Sequence, residues 1–267
     1  MPVVSVIIPI YNARAYLGET LKSVQDQTYK DWECIVVENG SSDESMKAIR
    51  EFASRDGRFT IVPLVSYVGV ATSRNIAMQR CYGKYILFLD AGNRLAPGYL
   101  EAAVNALEED PSLHVVYGKA ERVGKGPEWD LPPFSMSMLL SRNCLYISSL
   151  FRKSEHDLYM GKGFDTQLEN GFEDWDFWLS LFESLPQEPN VRQLEEVCLY
   201  YTEKGTHSEV SDEDLKAIRC QLWEKHKALY SRYFPDPCET LEYQRLLRAG
   251  EKGGHSWWKK SKESLLL

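Results

Sequence analysis

Short apolar runs alternate with amphipathic segments over the first third of the chain, and this alternation constrains the fold more than any other feature. The runs are VVSVIIPI from Val3, WECIVVEN from Trp32, RFTIVPLVS from Arg58 and KYILFLD from Lys84. The first is a continuous β-branched run, typical of a strand covered on both faces. In the segment after it, Leu17, Leu21 and Val24 are spaced along one helical face. Strands alternating with helices predict right-handed βαβ units and an α/β fold with a mostly parallel central sheet flanked by helices.

The pattern changes in the second half of the chain. Residues 118–145 are rich in glycine, proline and aromatic residues, as in GKGPEWDLPPFSMSM, and are predicted to form loops and short helices. The segment GFEDWDFWLSLFESL, from Gly171, restores an apolar helical face. From about Ser211 the chain is charged and is predicted to be helical, with one apolar face formed by Leu215, Ile218, Leu222 and Leu229. These residues predict a helical C-terminal extension.

Composition argues against several classes of protein. The chain has 267 residues, a formal net charge of −8 and an isoelectric point near 5.3, so broad electrostatic binding to nucleic acid is not expected. No apolar run approaches the ~18–20 residues of a membrane-spanning helix, and the first residues lack the features of a secretory signal. The six cysteines are scattered without a CxxC pair, which favours reduced thiols over zinc ligation or disulfides. We therefore expect a cytoplasmic protein.

Three polar stretches follow predicted strand ends and are candidates for a ligand site. They are Pro9–Asn12, Glu38–Asp43 and Asp90–Asn93. Ligands of parallel α/β sheets bind at the carboxyl ends of the strands, which places the three stretches on one rim. In the second stretch, Asn39 can donate and accept hydrogen bonds, and Ser42 is the predicted N-cap of the next helix. An ordinary strand-to-helix turn with a good cap is the alternative for this stretch.

Charged residues elsewhere in the chain are further candidates for binding or catalysis. Arg74, in the segment SRNIA, lies in an early helical turn and could bind phosphate or carboxylate oxygens, with a surface ion pair as the alternative. In GFEDWDFWL, Glu173, Asp174 and Asp176 are flanked by aromatic residues. Carboxylates beside so much apolar surface are candidates for a raised pKa and for general-base catalysis. The alternative is a helix start whose acids interact with the positive end of the helix dipole.

The chain resembles the inverting family-two glycosyltransferases in three segments that stand in that family's order and spacing. They are VSVIIPIYNARAYLGETLKSVQDQTYKDWECIVVENGSSDES, GVATSRNIAMQRCYGKYILFLDAGN and GKGFDTQLENGFEDWDFWLSL. The resemblance extends over residues 3–203, and its most specific part is the opening segment. It implies a Rossmann-like GT-A fold. It also implies transfer of a sugar from a nucleotide donor, usually a UDP-, GDP- or dTDP-sugar, to an acceptor hydroxyl.

The resemblance also implies roles for individual residues. Asp174 matches the acid taken as the catalytic base in the family's Glu-Asp pair, and Glu173 lies beside it. The positions that match nucleotide-sugar contacts are Pro9, Ile10, Tyr11, Glu38, Asn39, Arg74, Asp90 and Ala91. Where the family often has Tyr-Arg-x-His, this chain offers Lys204 and His207 as candidate diphosphate contacts.

Some positions depart from the family pattern. The family commonly has two aspartates where this chain has Glu38 and Asn39, and two acids where it has Gly92 and Asn93. The last of those acids usually binds the Mn²⁺ or Mg²⁺ that bridges the diphosphate. An amide oxygen is a weaker ligand for such hard cations than a carboxylate. Asp90 and Asn93 are therefore predicted to form at most a weak metal site.

These observations lead to one hypothesis with an alternative. The hypothesis is an inverting transferase of polysaccharide or glycoconjugate synthesis, with Asp174 as general base and Arg74 and Lys204 neutralising the leaving diphosphate. The expected partners are a UDP-sugar donor and a saccharide or lipid-linked saccharide acceptor, with no nucleic acid. Mg²⁺ or Mn²⁺ would bind weakly or not be required. The alternative is a nucleotide-sugar-binding protein, catalytically weakened by loss of its metal-binding acids.

The resemblance also predicts the division of the chain. Residues 1–205 are expected to form the GT-A domain, with a nucleotide-sugar-binding half at 1–117 and an acceptor and catalytic half at 118–205. Residues 206–267 form the helical extension. Because many family members build surface polysaccharides or act on lipid-linked sugars, association with the inner face of the membrane remains open, as does a homodimer.

Overall fold

The computed structural model describes residues 1–124, 131–157, 163–168, 172–202 and 212–234, without the side chains of residues 212–214. The described residues separate into two compact units. The first is drawn from Met1–Asp130 and Leu145–Val210, and the second from Leu131–Cys144 and Ser211–Leu267.

Strands and helices alternate from the start of the chain. The strands of this part are β1 (Val4–Ile10), β2 (Trp32–Asn39), β3 (Phe59–Leu64), β4 (Tyr85–Phe88) and β5 (Arg94–Leu95). The helices are α1 (Leu17–Gln25), α2 (Ser45–Arg55), α3 (Val70–Met78) and α4 (Tyr99–Glu109). Each strand and helix predicted from the apolar pattern is confirmed, and the short β5 is an addition.

The remaining described elements mix strands with helices. In chain order they are β6 (Val115–Arg122), α5 (Met136–Ser141), β7 (Leu150–Arg152), α6 (Lys153–Glu155), α7 (Phe172–Ser184), β8 (Val191–Tyr201), α8 (Asp212–Lys225) and α9 (Lys227–Tyr233). Helix α7 confirms the helix predicted in GFEDWDFWLSLFESL.

The described strands form one sheet in the order β3-β2-β1-β4-β7-β6-β8-β5. The pairs β3–β2, β2–β1, β1–β4 and β6–β8 are parallel, and the other neighbours are antiparallel. Every residue of β1 is buried, as expected for a central strand with both faces covered. The register pairs Ile10 with Glu38 and Ile7 with Phe88, so the carboxyl ends of β1, β2 and β4 lie at one edge. The predicted α/β fold with a mostly parallel sheet is confirmed.

Strand β6 corrects the prediction of loops from residue 118 onward. It continues to Arg122 and pairs in parallel with β8. Gly118 permits this pairing, because a Cβ at that position would overlap the Sγ of Cys198. The partner strand begins only at Val191, and strand formation depends on such partners more than on local sequence.

Helix α2 begins later than its predicted cap. Its N-cap is Glu44, not Ser42, and Glu44 makes no side-chain capping hydrogen bond. Asp43 serves the helix start instead, because its Oδ1 accepts from the backbone N–H of Ser45 at 2.9 Å. The backbone N–H of Ser42 donates to Oδ1 of Asn12 at 2.9 Å, which ties the turn after β2 to the turn after β1.

The second unit is helical where it is described. The Tyr230 hydroxyl on α9 donates to the backbone carbonyl of Leu140 on α5 at 2.8 Å, linking the two parts of the chain that form this unit. Of the predicted apolar face, Leu222 and Leu229 are fully buried, whereas Leu215 and Ile218 are half-buried. The helical character expected for the C-terminal region is confirmed for α8 and α9.

Five of the six cysteines lie among the described residues. Cys34, Cys81, Cys144 and Cys198 are buried free thiols and Cys220 is an exposed one, whereas Cys238 lies outside the described residues. Across the described ranges, no helix combines the length and the apolar composition needed to cross a bilayer.

Candidate active site

The loops after β1 and β2 are hydrogen-bonded to each other at the carboxyl edge of the sheet. The backbone N–H of Asn12 donates to Oγ of Ser41 at 3.1 Å, in addition to the bond from Ser42 to the Asn12 side chain. Asn12 has a φ of 48°, a left-handed conformation that asparagine adopts more readily than most residues. Two of the predicted rim stretches therefore lie side by side.

The turn between β4 and β5 forms the third part of this edge. The backbone N–H of Asn93 donates to the Asp90 carbonyl at 3.0 Å, and that of Gly92 donates to Oγ1 of Thr20 at 2.8 Å. The hydroxyl of Thr202, directly after β8, donates to the Gly92 carbonyl at 2.5 Å. Gly92 has a φ of 99°, which residues with a side chain rarely adopt. The backbone therefore favours glycine at a position where an acid was expected from the family resemblance.

Arg74 brings together carboxylates from two distant segments. It lies on α3, and its side chain is 2% exposed. Nη2 donates to Oδ1 of Asp90 at 2.8 Å, and Nη1 donates to Oδ1 of Asp174. Oε1 of Glu173 lies 3.7 Å from Nη1. We call these four residues the Arg74 cluster; it unites the turn after β4 with the first turn of α7, two segments that the sequence predicted separately.

Burial and charge determine the protonation of this cluster. Burial raises the pKa of Asp174 to about 7, with Glu173 and Asp90 adding to the rise and Arg74 opposing it. For Arg74, burial acts to lower the pKa, but the three carboxylates together raise it above its ordinary value, so the guanidinium stays charged. The Asp174 side chain remains 18% exposed. A carboxyl group that titrates near neutral pH and still reaches solvent is suited to accept a proton from a ligand.

Aromatic rings cover another side of the Arg74 guanidinium. Its Cζ lies 4.9 Å from the ring centre of Phe164 and 5.8 Å from that of Phe88. Phe164 in turn stacks on Phe177 of α7, with ring centres 4.4 Å apart. Within the described part of the chain, Nε of Arg74 has no hydrogen-bond partner. These rings keep water from one side of the guanidinium and so contribute to the burial that raises the pKa of Asp174.

Tyr11 and Tyr67 form an exposed aromatic pair at the same edge. Their ring centres are 4.4 Å apart, and the residues are 47% and 56% exposed. Tyr11 was among the predicted site residues, whereas Tyr67 was not. The only sequence signal for Tyr67 is an aromatic residue in the turn SYVG between β3 and α3.

Asn39 and Glu38 hold the loops of this edge through backbone contacts. Nδ2 of Asn39 donates to the Gly69 carbonyl at 3.2 Å, and its Oδ1 accepts from the Val68 N–H at 2.9 Å. Oε1 of Glu38 accepts from the Ser41 N–H at 2.6 Å. Both side chains are buried. Direct contact of either one with a nucleobase stays a prediction.

The other predicted site residues have less distinctive surroundings. Pro9 and Ile10 are buried at the end of β1, and Ala91 is half-buried in the turn after β4. Lys204 and His207 lie outside the described residues. Of the charged predicted residues, the structure therefore groups Asp90, Glu173 and Asp174 at Arg74. Glu38 lies near the carboxyl end of β2 instead and accepts from the turn that follows it.

The oxygen donors at this edge fit a divalent cation poorly. Oδ1 of Asn93 accepts from the Thr202 N–H at 3.3 Å, and Oδ1 of Asp90 accepts from Arg74. Among the residues described, no three His, Cys, Asp or Glu side chains group as a metal site. Mg²⁺ and Mn²⁺ favour several hard oxygen ligands, and here Asp90 and Asp174 are already hydrogen-bonded to a guanidinium. The described residues do not form a protein-held metal centre.

A separate surface groove of about 390 Å³ lies beside α1 and β5. Its charged side chains pair with one another: Lys22 Nζ lies 2.9 Å from Asp26 Oδ2, and Arg94 Nη1 lies 3.1 Å from Glu19 Oε2. No residue of the Arg74 cluster lines this groove. The groove is therefore separate from the predicted residues of the Arg74 cluster.

Comparison with known proteins is consistent with this arrangement. The family described as Glycosyl transferase family 2 matches residues 5–178, which include all four residues of the Arg74 cluster. TuaG of Bacillus subtilis (strain 168), a glycosyltransferase named for teichuronic acid biosynthesis, is 37% identical over 108 residues, which is 40% of this chain and 43% of TuaG. Chondroitin synthase of Escherichia coli is 25% identical over 223 residues, 81% of this chain and 31% of the synthase. The chain spans less than half the length of each of these two relatives.

Solved structures share the fold. The structure of S. aureus TarS 1–349 in complex with UDP-GlcNAc superposes with a TM-score of 0.69 at 19% identity, covering 87% of this chain and 73% of that one. The mannosyltransferase PcManGT from Pyrobaculum calidifontis, in complex with GDP-Man and Mn²⁺, gives a TM-score of 0.59 at 19% identity, covering 98% and 79%. These likenesses confirm a GT-A-like fold. Since the family match extends over more than half of its residues, the chain belongs to glycosyl transferase family 2.

Proposed function

We propose that the chain transfers a sugar from a UDP-sugar to a hydroxyl group of a saccharide or lipid-linked saccharide, with inversion at the anomeric carbon. The proposed product is a polysaccharide or glycoconjugate, and residues 1–205 carry the reaction. Family membership supports glycosyl transfer. The names of two relatives refer to teichuronic acid and to chondroitin, which supports a polysaccharide-type acceptor. The complexes of the structural neighbour TarS with UDP and UDP-GlcNAc support a UDP-linked donor.

Asp174 is the general base in this proposal. The acceptor oxygen attacks the anomeric carbon while its proton passes to Asp174. The bond from that carbon to the diphosphate oxygen breaks, and its electron pair leaves on UDP. Attack from the face opposite the diphosphate inverts the configuration. The pKa of about 7 and the partial exposure of Asp174 support this role, because both suit proton transfer near neutral pH.

Arg74 supplies positive charge for the leaving diphosphate, and Lys204 is proposed as a second cation. The guanidinium is buried and is held by Asp90 and Asp174. A fixed charge in a site with little water stabilises a developing negative charge more strongly than a charge in bulk water does. Asp90 therefore acts by orienting Arg74.

The nucleobase is proposed to bind at Tyr11 and Tyr67. The two rings are exposed at the edge where Pro9 and Ile10 end β1. Bases stack on aromatic side chains through their π faces, so an exposed tyrosine pair suits this part of the donor. Asn39 contributes by fixing the backbone of the loop that carries Tyr67.

The observation that carries the proposal is the Arg74 cluster, in which Asp174, with a pKa of about 7, lies beside a buried guanidinium. The cluster adjoins the carboxyl edge of the parallel strands, where ligands of α/β sheets usually bind. The test is to incubate the full chain with UDP-GlcNAc, UDP-Glc, UDP-Gal or GDP-Man and a panel of oligosaccharides. We expect acceptor-dependent release of UDP, and a product whose anomeric configuration, measured by proton NMR, is opposite to that of the donor. Retained configuration would reject inversion. If none of the nucleotide sugars binds and none reacts, the proposed function is rejected.

The rate of transfer is expected to depend on the ionisation of Asp174. Because only the carboxylate can accept a proton, kcat/KM should rise with pH through an apparent pKa of about 7 and then level off. Below that pKa, each unit of pH should lower kcat/KM about tenfold. UDP-GlcNAc binding measured by calorimetry over the same range serves as the control and should change little, because the diphosphate of a UDP-sugar has no terminal phosphate that titrates there. A kcat/KM profile that stays flat down to about pH 5 would contradict the assignment.

Chelation is expected to leave most of the transfer activity in place. The reason is the choice of oxygen atoms that could bind a metal ion: Asn93 offers an amide oxygen, and Asp90 is already paired with Arg74. The measurement is turnover with EDTA and after addition of Mn²⁺. Asn93→Asp is the matched variant, since it restores an acid without removing the acceptor for Thr202, and it should become Mn²⁺-stimulated. Complete loss of wild-type turnover in EDTA, reversed by Mn²⁺, would reject this prediction.

Removing the ring of Tyr11 is expected to weaken UDP binding. Base stacking on an aromatic ring contributes about 1–3 kcal/mol, so the Kd of Tyr11→Ala for UDP should rise roughly 5- to 150-fold in calorimetry. Tyr82→Ala is the control, because Tyr82 is a 71% exposed tyrosine that lies before β4 and not after the carboxyl end of a strand. Equal UDP affinity in the two variants would remove Tyr11 from the proposed base site.

A further inference from the structure

Asn75, the residue after Arg74, binds a segment that lies far along the chain. Its Nδ2 donates to the Phe164 carbonyl at 2.9 Å, and its Oδ1 accepts from the Phe164 N–H at 2.7 Å. One side-chain amide thus satisfies both backbone polar groups of a single residue. This pair of bonds, which we call the Asn75 clamp, fixes both the position and the orientation of Phe164.

The approach of the two segments depends on glycine at position 163. A Cβ added to Gly163 would overlap Oδ1 of Asn75 and would lie 3.0 Å from Cε of Met78. The backbone before Phe164 therefore packs directly onto the Asn75 amide. Any side chain at position 163 would push the two apart.

The Phe164 ring connects the clamp to the Arg74 cluster. It is 3% exposed, and its centre lies 4.9 Å from Cζ of Arg74. It also stacks on Phe177 at 4.4 Å with an interplanar angle of 16°. Phe177 is three residues after Asp174 on α7, so the two side chains lie on neighbouring parts of one helix surface. The ring therefore contacts both the cation and the helix that carries Asp174.

We infer that Asn75 is a positioning residue for the proposed transfer reaction: by clamping the backbone of Phe164, it seats the Phe164 ring against Arg74 and α7 and keeps water from that side of the cluster. The expected effect on the rate of transfer rests on the proposed function, whereas the expected effect on the position of the Phe164 ring does not. Asn75 contacts none of the acids of the cluster in the described hydrogen bonds and acts through Phe164.

Loss of the clamp has a defined electrostatic consequence. Among the residues that the structure describes, the charged groups with the largest influence on the pKa of Asp174 are Arg74, Glu173 and Asp90, and burial has a larger influence than any of them. If the Phe164 ring leaves its place, water reaches the cluster and Asp174 becomes less buried. The pKa of Asp174 should then fall towards its ordinary value, and the acid limb of the rate profile should move to lower pH.

The experiment is a titration of the Asp174 carboxyl in protein labelled with ¹³C-aspartate, with its resonance assigned by comparison with Asp174→Asn. We expect a lower midpoint in Asn75→Ala than in the wild type. Gly163→Ala breaks the same clamp from the other side and should give the same shift. In transfer assays both variants should lose kcat by about 10- to 100-fold while the KM for the donor changes little, because the geometry of catalytic groups is disturbed and donor contacts are not.

Two further variants separate positioning from general destabilisation. Gln27→Ala removes a buried amide that clamps a remote loop through Ala96 and Leu100. It should lower thermal stability without moving the Asp174 midpoint. Phe164→Leu should lower the midpoint by itself, and adding Asn75→Ala to it should produce little more, because both act through one ring.

The outcomes distinguish this inference from the proposed function. An unchanged Asp174 midpoint in both Asn75→Ala and Gly163→Ala would overturn the inference, as would fully additive shifts in the double variant. If Asn75→Ala does not fold, Gly163→Ala and Phe164→Leu decide the question. The titration requires no donor, so it is informative even if sugar transfer fails. A normal transfer reaction with unshifted midpoints would refute the clamp alone.

Discussion

Replacing Asp174 by asparagine is expected to lower kcat for sugar transfer by about 10²–10⁴-fold, the usual contribution of a general base. Asparagine has nearly the same shape and can still accept the hydrogen bond from Arg74. The residue therefore loses its ability to take up a proton while keeping its place. UDP affinity, measured by calorimetry, should change by only a few-fold. The kinetic measurement is turnover at saturating donor and acceptor.

Asp56→Asn is the matched control for this variant. Asp56 is also a partly buried aspartate paired with an arginine, with Oδ2 2.7 Å from Nη2 of Arg58, but it lies before β3 at the amino end of that strand. Asp56→Asn should lose some stability and keep its transfer rate. If Asp174→Asn transfers sugar as fast as this control, Asp174 is not the base. If the wild type binds UDP-sugars and does not turn over, the chain is instead a nucleotide-sugar-binding protein.

The second large effect is expected for Arg74→Met, which leaves the carboxylates of the cluster without their cation. Removing one partner of a buried ion pair lowers the free energy of unfolding by about 3–5 kcal/mol. Transfer activity should be lost as well, because the proposed diphosphate charge is no longer opposed. The measurement is urea denaturation together with turnover. Arg74→Lys keeps the charge but cannot bind two carboxylates in the same way, so its losses should be smaller.

The stability loss of Arg74→Met should depend on pH. The pKa of Asp174 is already raised in the folded protein, and removing Arg74 removes the interaction that opposes this rise. Between the pKa of Asp174 in the unfolded chain and its higher pKa in the folded variant, the folded state binds more protons than the unfolded state does. Its stability therefore falls as pH rises. The wild type loses stability in the same way up to the Asp174 pKa of about 7, so the extra loss of the variant develops above that pH. We therefore expect a larger loss at about pH 8 than at about pH 5.

Arg94→Met is the control for this experiment. Arg94 pairs with Glu19 at 3.1 Å, and the Glu19 side chain is 72% exposed. Exposed pairs contribute roughly 0–1 kcal/mol, so the control should be nearly as stable as the wild type at either pH. An Arg74→Met variant that resembled Arg94→Met in stability and retained transfer would contradict the role given to the cluster.

The first half of the fold was predictable because its signals are local. Strand β1 is a continuous β-branched run, and α1 has a regular apolar face, so neither needs a distant partner to be recognised. Strands β6 and β8 lack such signals. β8 reads VRQLEEVCLYY, of which only Cys198, Leu199 and Tyr201 are buried, and it forms a strand because β6 lies beside it.

In the candidate site, too, some features have local sequence signals and others depend on distant parts of the chain. The strand-end rule placed Asp90 and Asn39 at one edge from sequence alone. By contrast, Asp174 lies 100 residues after Arg74, and only the family resemblance suggested that both act in one site. The clamp between Asn75 and Phe164 spans 89 residues and carried no motif. The φ of 99° at Gly92 also became visible only in the backbone.

The most direct test of the central claim is a titration of the full chain with UDP, followed by amide chemical shifts in deuterated protein. The claim predicts saturable shifts in the loops after β1, β2 and β4 and at the start of α3, around Tyr11, Asn39, Asp90 and Arg74. The groove beside α1 and β5, around Lys22 and Arg94, should be unaffected. Shifts confined to that groove, or no saturation at millimolar UDP, would contradict the claim that the Arg74 cluster adjoins a nucleotide-sugar site.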